Sequence, residues 1–225
     1  MRSKKGLNLS RMYSSNFSLP KRYKRNIKFI IIHYTGMKKE SAAIKRLCYP
    51  KSKVSSHYYI KKNGNILNLV PDLYEAWHAG KSNWKKYKSL NKYSLGIEIT
   101  NPGHQHGYKN FSKNQIISIK KLLKYLMKKY KIEKKNILGH SDISPGRKRD
   151  PGENFPWKNL AKSNLSIWHK LNMKKIEKFR KIKLSSKKYE EKFINNLNKL
   201  GYNIIDKKRS NTNTRHLVKA FQRRF

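Results

Sequence analysis

Glu98 stands in the middle of the apolar run SLGIEIT, where a carboxylate is costly unless it is paired or functional. Two more polar residues close apolar runs: His33 ends IKFIIIH, and His140 follows ILG. Behind His140 comes GHSDISPGRKRDPGENFPW, in which Pro145, Gly146, Pro151 and Gly152 make a rigid turn presenting Lys148 and Asp150. Two imidazoles and one carboxylate form the donor set of a catalytic zinc site, which leaves a fourth position for water. A metal so held lowers the pKa of its water toward about 7 and polarises a carbonyl. A histidine taken alone is more often a hydrogen-bonded packing residue. The weight comes from separate strand ends converging on one sheet edge, which is where α/β sites form. His57 and His78 are read as packing residues with respect to metal, while His78, in AWHAG, is placed on the cleft wall.

The elements that must position these groups are legible from periodicity. Residues 27–33 are too apolar and β-branched for an edge strand and predict a central strand covered on both faces. A short helix is expected over 41–47, then a hairpin in SSHYYIKKNGNILNLV turning at Asn63-Gly64-Asn65, because Asn-Gly readily adopts positive φ. Residues 94–100 predict a second buried strand and Ile137–Gly139 a third. Between them, apolar residues at 116, 119, 122, 123 and 126 recur at the helical period. The expected fold is α/β: a central mixed β-sheet flanked by helices, with the site along one strand edge. Residues 1–26 are basic and broken by Pro20, and predict an extended N-terminal arm. From about Lys174 the texture turns helical and lysine-rich. Lys187–Leu200, a loop through Asn213 and a helix over 214–225 with apolar positions 217, 218 and 221 read as a separate three-helix module spanning 175–225.

Composition bounds the partners. The 225 residues suit a domain of about 150 residues plus an appendage. With 36% apolar and 12% aromatic residues, wholesale disorder is excluded. The 55 Lys plus Arg against 12 Asp plus Glu would draw any polyanion. The excess is mostly lysine and spread along the chain, whereas nucleic-acid readers concentrate arginine in a stripe or arm. No reading helix or aromatic sheet face is recognisable, so a specific nucleic-acid partner is not expected. Cys48, the single cysteine, excludes an internal disulfide and a multi-cysteine zinc site. No apolar run approaches the roughly 20 residues of a spanning helix, and the N-terminus lacks the h-region of a signal peptide.

Taken in order, IIIHYTG, VSSHYYI, LVPDLYEAWHAG, SLGIEI and GHSDISPGRKRDPGENFPW resemble the type-2 zinc-dependent N-acetylmuramoyl-L-alanine amidases over roughly residues 27–160, which implies a catalytic domain over 27–170. That family includes the anhydromuramyl-peptide amidases and shares its fold with peptidoglycan recognition proteins. The resemblance implies that His33, His140 and Asp150 hold one Zn²⁺, that Glu98 is the general acid/base and that Lys148 stabilises the oxyanion. The implied substrate is peptidoglycan or an anhydromuropeptide, cut between muramic acid and L-alanine. Trp77, Trp84 and His78 become candidates for lining the sugar-peptide groove. LNKLGYNI and RHLVKAFQRRF resemble the peptidoglycan-binding module of the Gram-negative envelope branch, which implies an envelope, periplasmic or secreted location. The absence of a signal peptide leaves the cytoplasm as the alternative. A non-catalytic recognition protein on the same fold could dispense with the metal set, which this chain keeps together with Glu98 and Lys148.

Overall fold

The β-branched run expected at the centre becomes the middle of a six-stranded sheet in a computed structural model that describes residues 7, 9–180, 187–203 and 211–225. The described strands are β1 (Leu9–Arg11), β2 (Phe17–Ser18), β3 (Phe29–Tyr34), β4 (Tyr58–Ile60), β5 (Ile66–Asn68), β6 (Glu75–Ala76), β7 (Asn83–Trp84), β8 (Tyr87–Lys88), β9 (Ser94–Ile99) and β10 (Ile137–Gly139). The described helices are α1 (Glu40–Cys48), α2 (Lys113–Tyr130), α3 (His140–Ile143), α4 (Trp157–Lys162), α5 (Met173–Arg180), α6 (Lys187–Leu200) and α7 (Asn211–Arg224). The sheet order is β1-β5-β4-β9-β3-β10, parallel throughout except for the β4–β5 hairpin, so the sheet is mixed. None of the described helices is long and apolar enough to cross a membrane.

Strand alternation sorts the side chains onto two faces. Ile30 and Ile32 of β3, with Leu95, Ile97 and Ile99 of β9, face α2, which returns Ile119, Leu122, Leu123 and Leu126. Helix α2 begins with a capping box. The Ser112 hydroxyl accepts from the Gln115 N–H at 3.2 Å, and Gln115 Oε1 accepts from the Ser112 N–H at 2.9 Å. On the opposite face Tyr59, Glu98 and His33 lie side by side across β4, β9 and β3. Helix α1 covers the Tyr59 end with Ala43 and Leu47. Helices α6 and α7 cover the other end, setting Ile194, Leu197, Leu217 and Ala220 against Phe29, Ile31 and Leu138. The site lies in the gap between these two covers.

Three expectations change. The hairpin forms, but only Gly64 of its turn has positive φ, at 90°. The Gly64 N–H donates to the Lys61 carbonyl and the Lys61 N–H to the Asn65 carbonyl, which makes a three-residue loop with the left-handed residue last. The N-terminal arm is not merely a lead-in. Its β1 adds an edge strand to the sheet, and the guanidinium of Arg22 donates to the carbonyls of Asp72, Asn91 and Ser94 at 2.6–2.8 Å. The loop expected up to Asn213 falls largely outside the described residues, and α7 already begins at Asn211.

The 175–225 stretch, read from sequence as separate, shares a core with the sheet. Each buried Ile or Leu side chain contributes roughly 1.5–3 kcal/mol, so Ile194, Leu197 and Leu217 together contribute about 4.5–9 kcal/mol, comparable to a net stability of about 5–15 kcal/mol. Deleting residues 175–225 is therefore expected to lower the melting temperature sharply or yield insoluble protein. Thermal unfolding of the truncated chain checks this; an unchanged melting temperature would restore the separate module.

Candidate metal centre and pocket

His33, His140 and Asp150 come from β3, the start of α3 and the loop after it, and all three are buried. His33 Nδ1 lies 2.9 Å from His140 Nδ1, and Asp150 Oδ2 lies 3.0 Å from each. The Ser141 N–H donates to the Asp150 carbonyl at 2.8 Å and joins the two halves of the loop.

The protons of this cluster follow from groups that can play only one role. The Ser94 hydroxyl donates to the Leu90 carbonyl at 2.5 Å, so its oxygen is left to accept from His78 Nε2–H at 3.3 Å. His78 Nδ1 is then an acceptor, and it takes the proton on His33 Nε2 at 3.0 Å. His140 Nε2 lies 3.1 Å from the Ala79 carbonyl and 3.3 Å from Arg147 Nη2, whose two hydrogens go to the carbonyls of Ala79 and Lys81, so His140 donates to Ala79. Both Nδ1 atoms therefore carry lone pairs toward the Asp150 carboxylate. Burial, then the facing His140, pulls the pKa of His33 down to about 4, which keeps its imidazole neutral at pH 7. Three converging acceptors with no proton among them fit a cation. Tetrahedral bonds of roughly 2.0–2.1 Å would set such donors about 3.3 Å apart, a few tenths of an ångström wider than they stand here.

AWHAG thus supplies the layer behind the candidate ligands, His78 bracing one imidazole and Ala79 the other, as metal-binding histidines generally require. His78 fits because Gly96 has no side chain; a Cβ there would lie within 2.7 Å of three atoms of its ring. Gly96→Ala is expected to cost about 1–3 kcal/mol by overpacking and to weaken metal binding through His78. Calorimetric unfolding and a zinc titration check it, and a wild-type zinc affinity would contradict the bracing role. His57 is a satisfied packing residue: its Nδ1 accepts the Gly96 N–H at 3.0 Å, and its Nε2–H meets the Tyr74 carbonyl at 3.0 Å. Burial, reinforced by Arg22, lowers its pKa to about 3.

Glu98 sits beside the triad at the bottom of a pocket of about 650 Å³, and Lys148, Trp77 and His78 also line it. Its Oε2 is buried without a hydrogen-bond partner. Burial, then the Asp150 carboxylate, raises its pKa well above the ordinary carboxylate value, with Lys148 opposing. An unpaired carboxyl group in that setting is suited to exchanging a proton. Trp77 is half-buried, and its Nε1–H donates to the Ser18 hydroxyl at 2.8 Å. Trp84 corrects the expectation of a groove residue. It is 2% exposed and packs edge-on to Tyr202 at 4.9 Å, under the C-terminal helices. Its place in the alternating β7–β8 hairpin sends it into that core.

The sequence reading passes over several supports. The Arg147 guanidinium donates to the carbonyls of Ala79 and Lys81 at 2.6 and 3.0 Å and pins AWHAG to the Lys148 loop. The Tyr108 hydroxyl donates to the Pro151 carbonyl at 2.6 Å, next to Asp150. Tyr108 stacks on His104, whose Nδ1 accepts from the Tyr34 hydroxyl at 2.9 Å. The only available signal for these was their proximity in sequence to glycines and prolines of the motifs.

A mixed sheet with two imidazoles, a carboxylate and an unpaired glutamate gathered at its strand ends defines an α/β protein with a candidate metal site. Residues 23–153 match the family model described as N-acetylmuramoyl-L-alanine amidase, and the chain belongs to that family. It is similar to the N-acetylmuramoyl-L-alanine amidase AmiD of Escherichia coli strain K12, 37% identical over 154 residues, which is 63% of this chain and 55% of AmiD. It is also similar to the 1,6-anhydro-N-acetylmuramyl-L-alanine amidase AmpD of Haemophilus influenzae, 40% identical over 49% of this chain and 59% of AmpD. These matches span a little over half the length of each curated relative. Among solved structures, AmpDh3 from Pseudomonas aeruginosa superposes with a TM-score of 0.78 at 28% identity, over 94% of this chain and 87% of that one. E. coli AmiD, in complex with the substrate anhydro-N-acetylmuramic acid-L-Ala-D-gamma-Glu-L-Lys, gives 0.77 at 28% identity, over 92% and 84%.

Proposed function

We propose that this chain hydrolyses the amide bond between N-acetylmuramic acid, or its 1,6-anhydro form, and L-alanine in peptidoglycan or its fragments, using one Zn²⁺. The observation that carries the reading is the unpartnered Glu98 carboxyl group set in one pocket with three converging metal donors. His33, His140 and Asp150 would hold the zinc. When bound, the ion supplies Lewis acidity that acidifies a water and polarises the lactyl carbonyl. Glu98 takes the proton of the attacking water and delivers one to the leaving L-alanine amine. Lys148 donates to the oxygen that becomes negative as the carbonyl turns tetrahedral. His78 and Ala79 keep the Nδ1 lone pairs of the two histidines turned inward.

The likeness to AmiD and AmpD supports the substrate class. The test is incubation of the zinc-loaded chain with an anhydromuramyl peptide and with sacculi, followed by mass spectrometry. Peptides bearing a free L-alanine amine are expected, with loss on chelation and recovery with zinc. Binding of the muropeptide without turnover would instead make the chain a recognition protein on the same fold.

We also propose that residues 175–225 contribute affinity for the wall polymer, supported by the pattern of LNKLGYNI and RHLVKAFQRRF, and that the chain acts in the cell envelope. Co-sedimentation of the full chain with purified sacculi, and fractionation of the producing cell, test these two statements.

A further inference from the structure

The segment that carries His140 and Asp150 is not held by the sheet alone. Asp142, 1% exposed and two residues beyond His140, closes the turn from β10 into α3 by accepting the Gly139 N–H at 2.7 Å on Oδ2. The same oxygen takes an ion-paired hydrogen bond from Arg224 Nη1, and Oδ1 accepts from the Tyr202 hydroxyl at 2.6 Å. Both partners belong to the C-terminal stretch. Arg224, 3% exposed at the end of α7, also donates from Nη2 to the Ile137 carbonyl at 2.9 Å, and its guanidinium lies 4.3 Å from the Trp157 ring centre. Farther along α7, the ring of His216 fills the space where a Cβ on Gly146 would stand, 2.9 Å from its Nδ1. Helix α7 thus backs the loop at the Asp142 turn and again at Gly146, two residues before Lys148.

We infer that Arg224 is a positioning residue for the metal centre: by neutralising Asp142 it fixes the turn that aims His140, so that docking of α7 and metal affinity are thermodynamically coupled. The inference rests on His33, His140 and Asp150 being the zinc ligands. A buried carboxylate that loses its cationic partner must find other donors or rearrange. The atoms nearest to it are the backbone of the turn that carries His140. The coupling is reciprocal, because whatever seats α7 tightens metal binding by the factor with which metal seats α7. If the C-terminal stretch engages wall polymer, that contact therefore reaches the reactive centre through Asp142.

The experiment uses the full chain. Zinc dissociation constants are measured by competition with a chromophoric chelator for wild type, Arg224→Met, which keeps an apolar stem over Trp157, and Leu197→Ala, which loosens the same core away from Asp142. Amide hydrogen exchange of α7 is followed with and without zinc. The expected result is a dissociation constant raised about 10- to 100-fold in Arg224→Met, the size typical of losing a support behind a metal ligand. Leu197→Ala should change it less than threefold despite a comparable fall in melting temperature, and in wild type zinc should slow exchange along α7. A folded Arg224→Met chain with wild-type zinc affinity would overturn the inference. Should that variant not fold, wild-type exchange in α7 decides: rates indifferent to zinc overturn it, and slowing upholds it. A wild type that binds no zinc would instead overturn the metal-site reading itself.

Discussion

Replacing His33, His140 or Asp150 by alanine is expected to release the zinc and abolish turnover in each of the three variants. The three donors are the one group of metal-competent side chains that converges among the described residues. Removing any one leaves two ligands, and a catalytic zinc site needs three protein donors to keep the fourth position open. The loss is not expected to come from unfolding. His33 keeps its bond to His78 and His140 its bond to Ala79 when the partner ligand is cut back, since those contacts are on the far nitrogens. Zinc content by mass spectrometry of the purified proteins, read beside circular dichroism and turnover, makes the check. Stoichiometric zinc in all three variants would refute the ligand assignment.

Glu98→Gln is expected to separate proton transfer from metal binding. Glu98 lies on β9, away from the loop that carries Asp150, so the glutamine variant should keep its zinc and its affinity for a muropeptide. Turnover should fall by roughly 10²- to 10⁴-fold, the share usual for general acid/base catalysis and equal to about 2.7–5.5 kcal/mol of barrier. The competing idea is a carboxylate kept for structure, and it makes the opposite prediction. A carboxylate kept for structure would show its loss in the melting temperature and leave turnover per folded molecule intact, whereas an unpartnered buried oxygen costs stability rather than adding to it. Lys148→Ala supplies the contrast, with turnover lowered and zinc retained, because its charge acts on the developing oxyanion and not on the ion. A Glu98→Gln enzyme that is folded, zinc-loaded and near wild type in rate would remove the proton-shuttle role.

His33, His140 and Glu98 could be singled out in the sequence because each is a polar residue placed where only apolar ones are cheap, at or within a buried strand, and Asp150 because prolines and glycines fix the loop behind His140. The strands followed from β-branched runs, and α2 from its period. What escaped depends on three-dimensional neighbours with no local signature. β1 is three residues long with two exposed side chains, so its pairing with β5 leaves no alternation to detect. His78 bears on His33 only because Gly96, eighteen residues later, vacates the space between sheet and ring. Trp84 looked like a groove aromatic because an isolated tryptophan in a loop-rich stretch serves equally well on a surface or in a core. The C-terminal helices looked separate because their texture changes abruptly, yet their apolar faces meet Phe29, Ile31 and Leu138, the half of the sheet that α2 does not cover. Asp142 gave no sign of its partner, since Arg224 lies 82 residues away.

The account comes down to which bond is cut and where water enters. Reaction of the zinc-loaded full chain with an anhydromuramyl tripeptide in ¹⁸O-enriched water, followed by mass spectrometry of both products, reads this directly. Hydrolysis by the Glu98-assisted route places one ¹⁸O in the lactyl carboxylate of the muramic acid product and leaves an unlabelled peptide with a free L-alanine amine. Label in the peptide, cleavage at any other bond, or recovery of intact muropeptide from a zinc-replete and folded chain would contradict it.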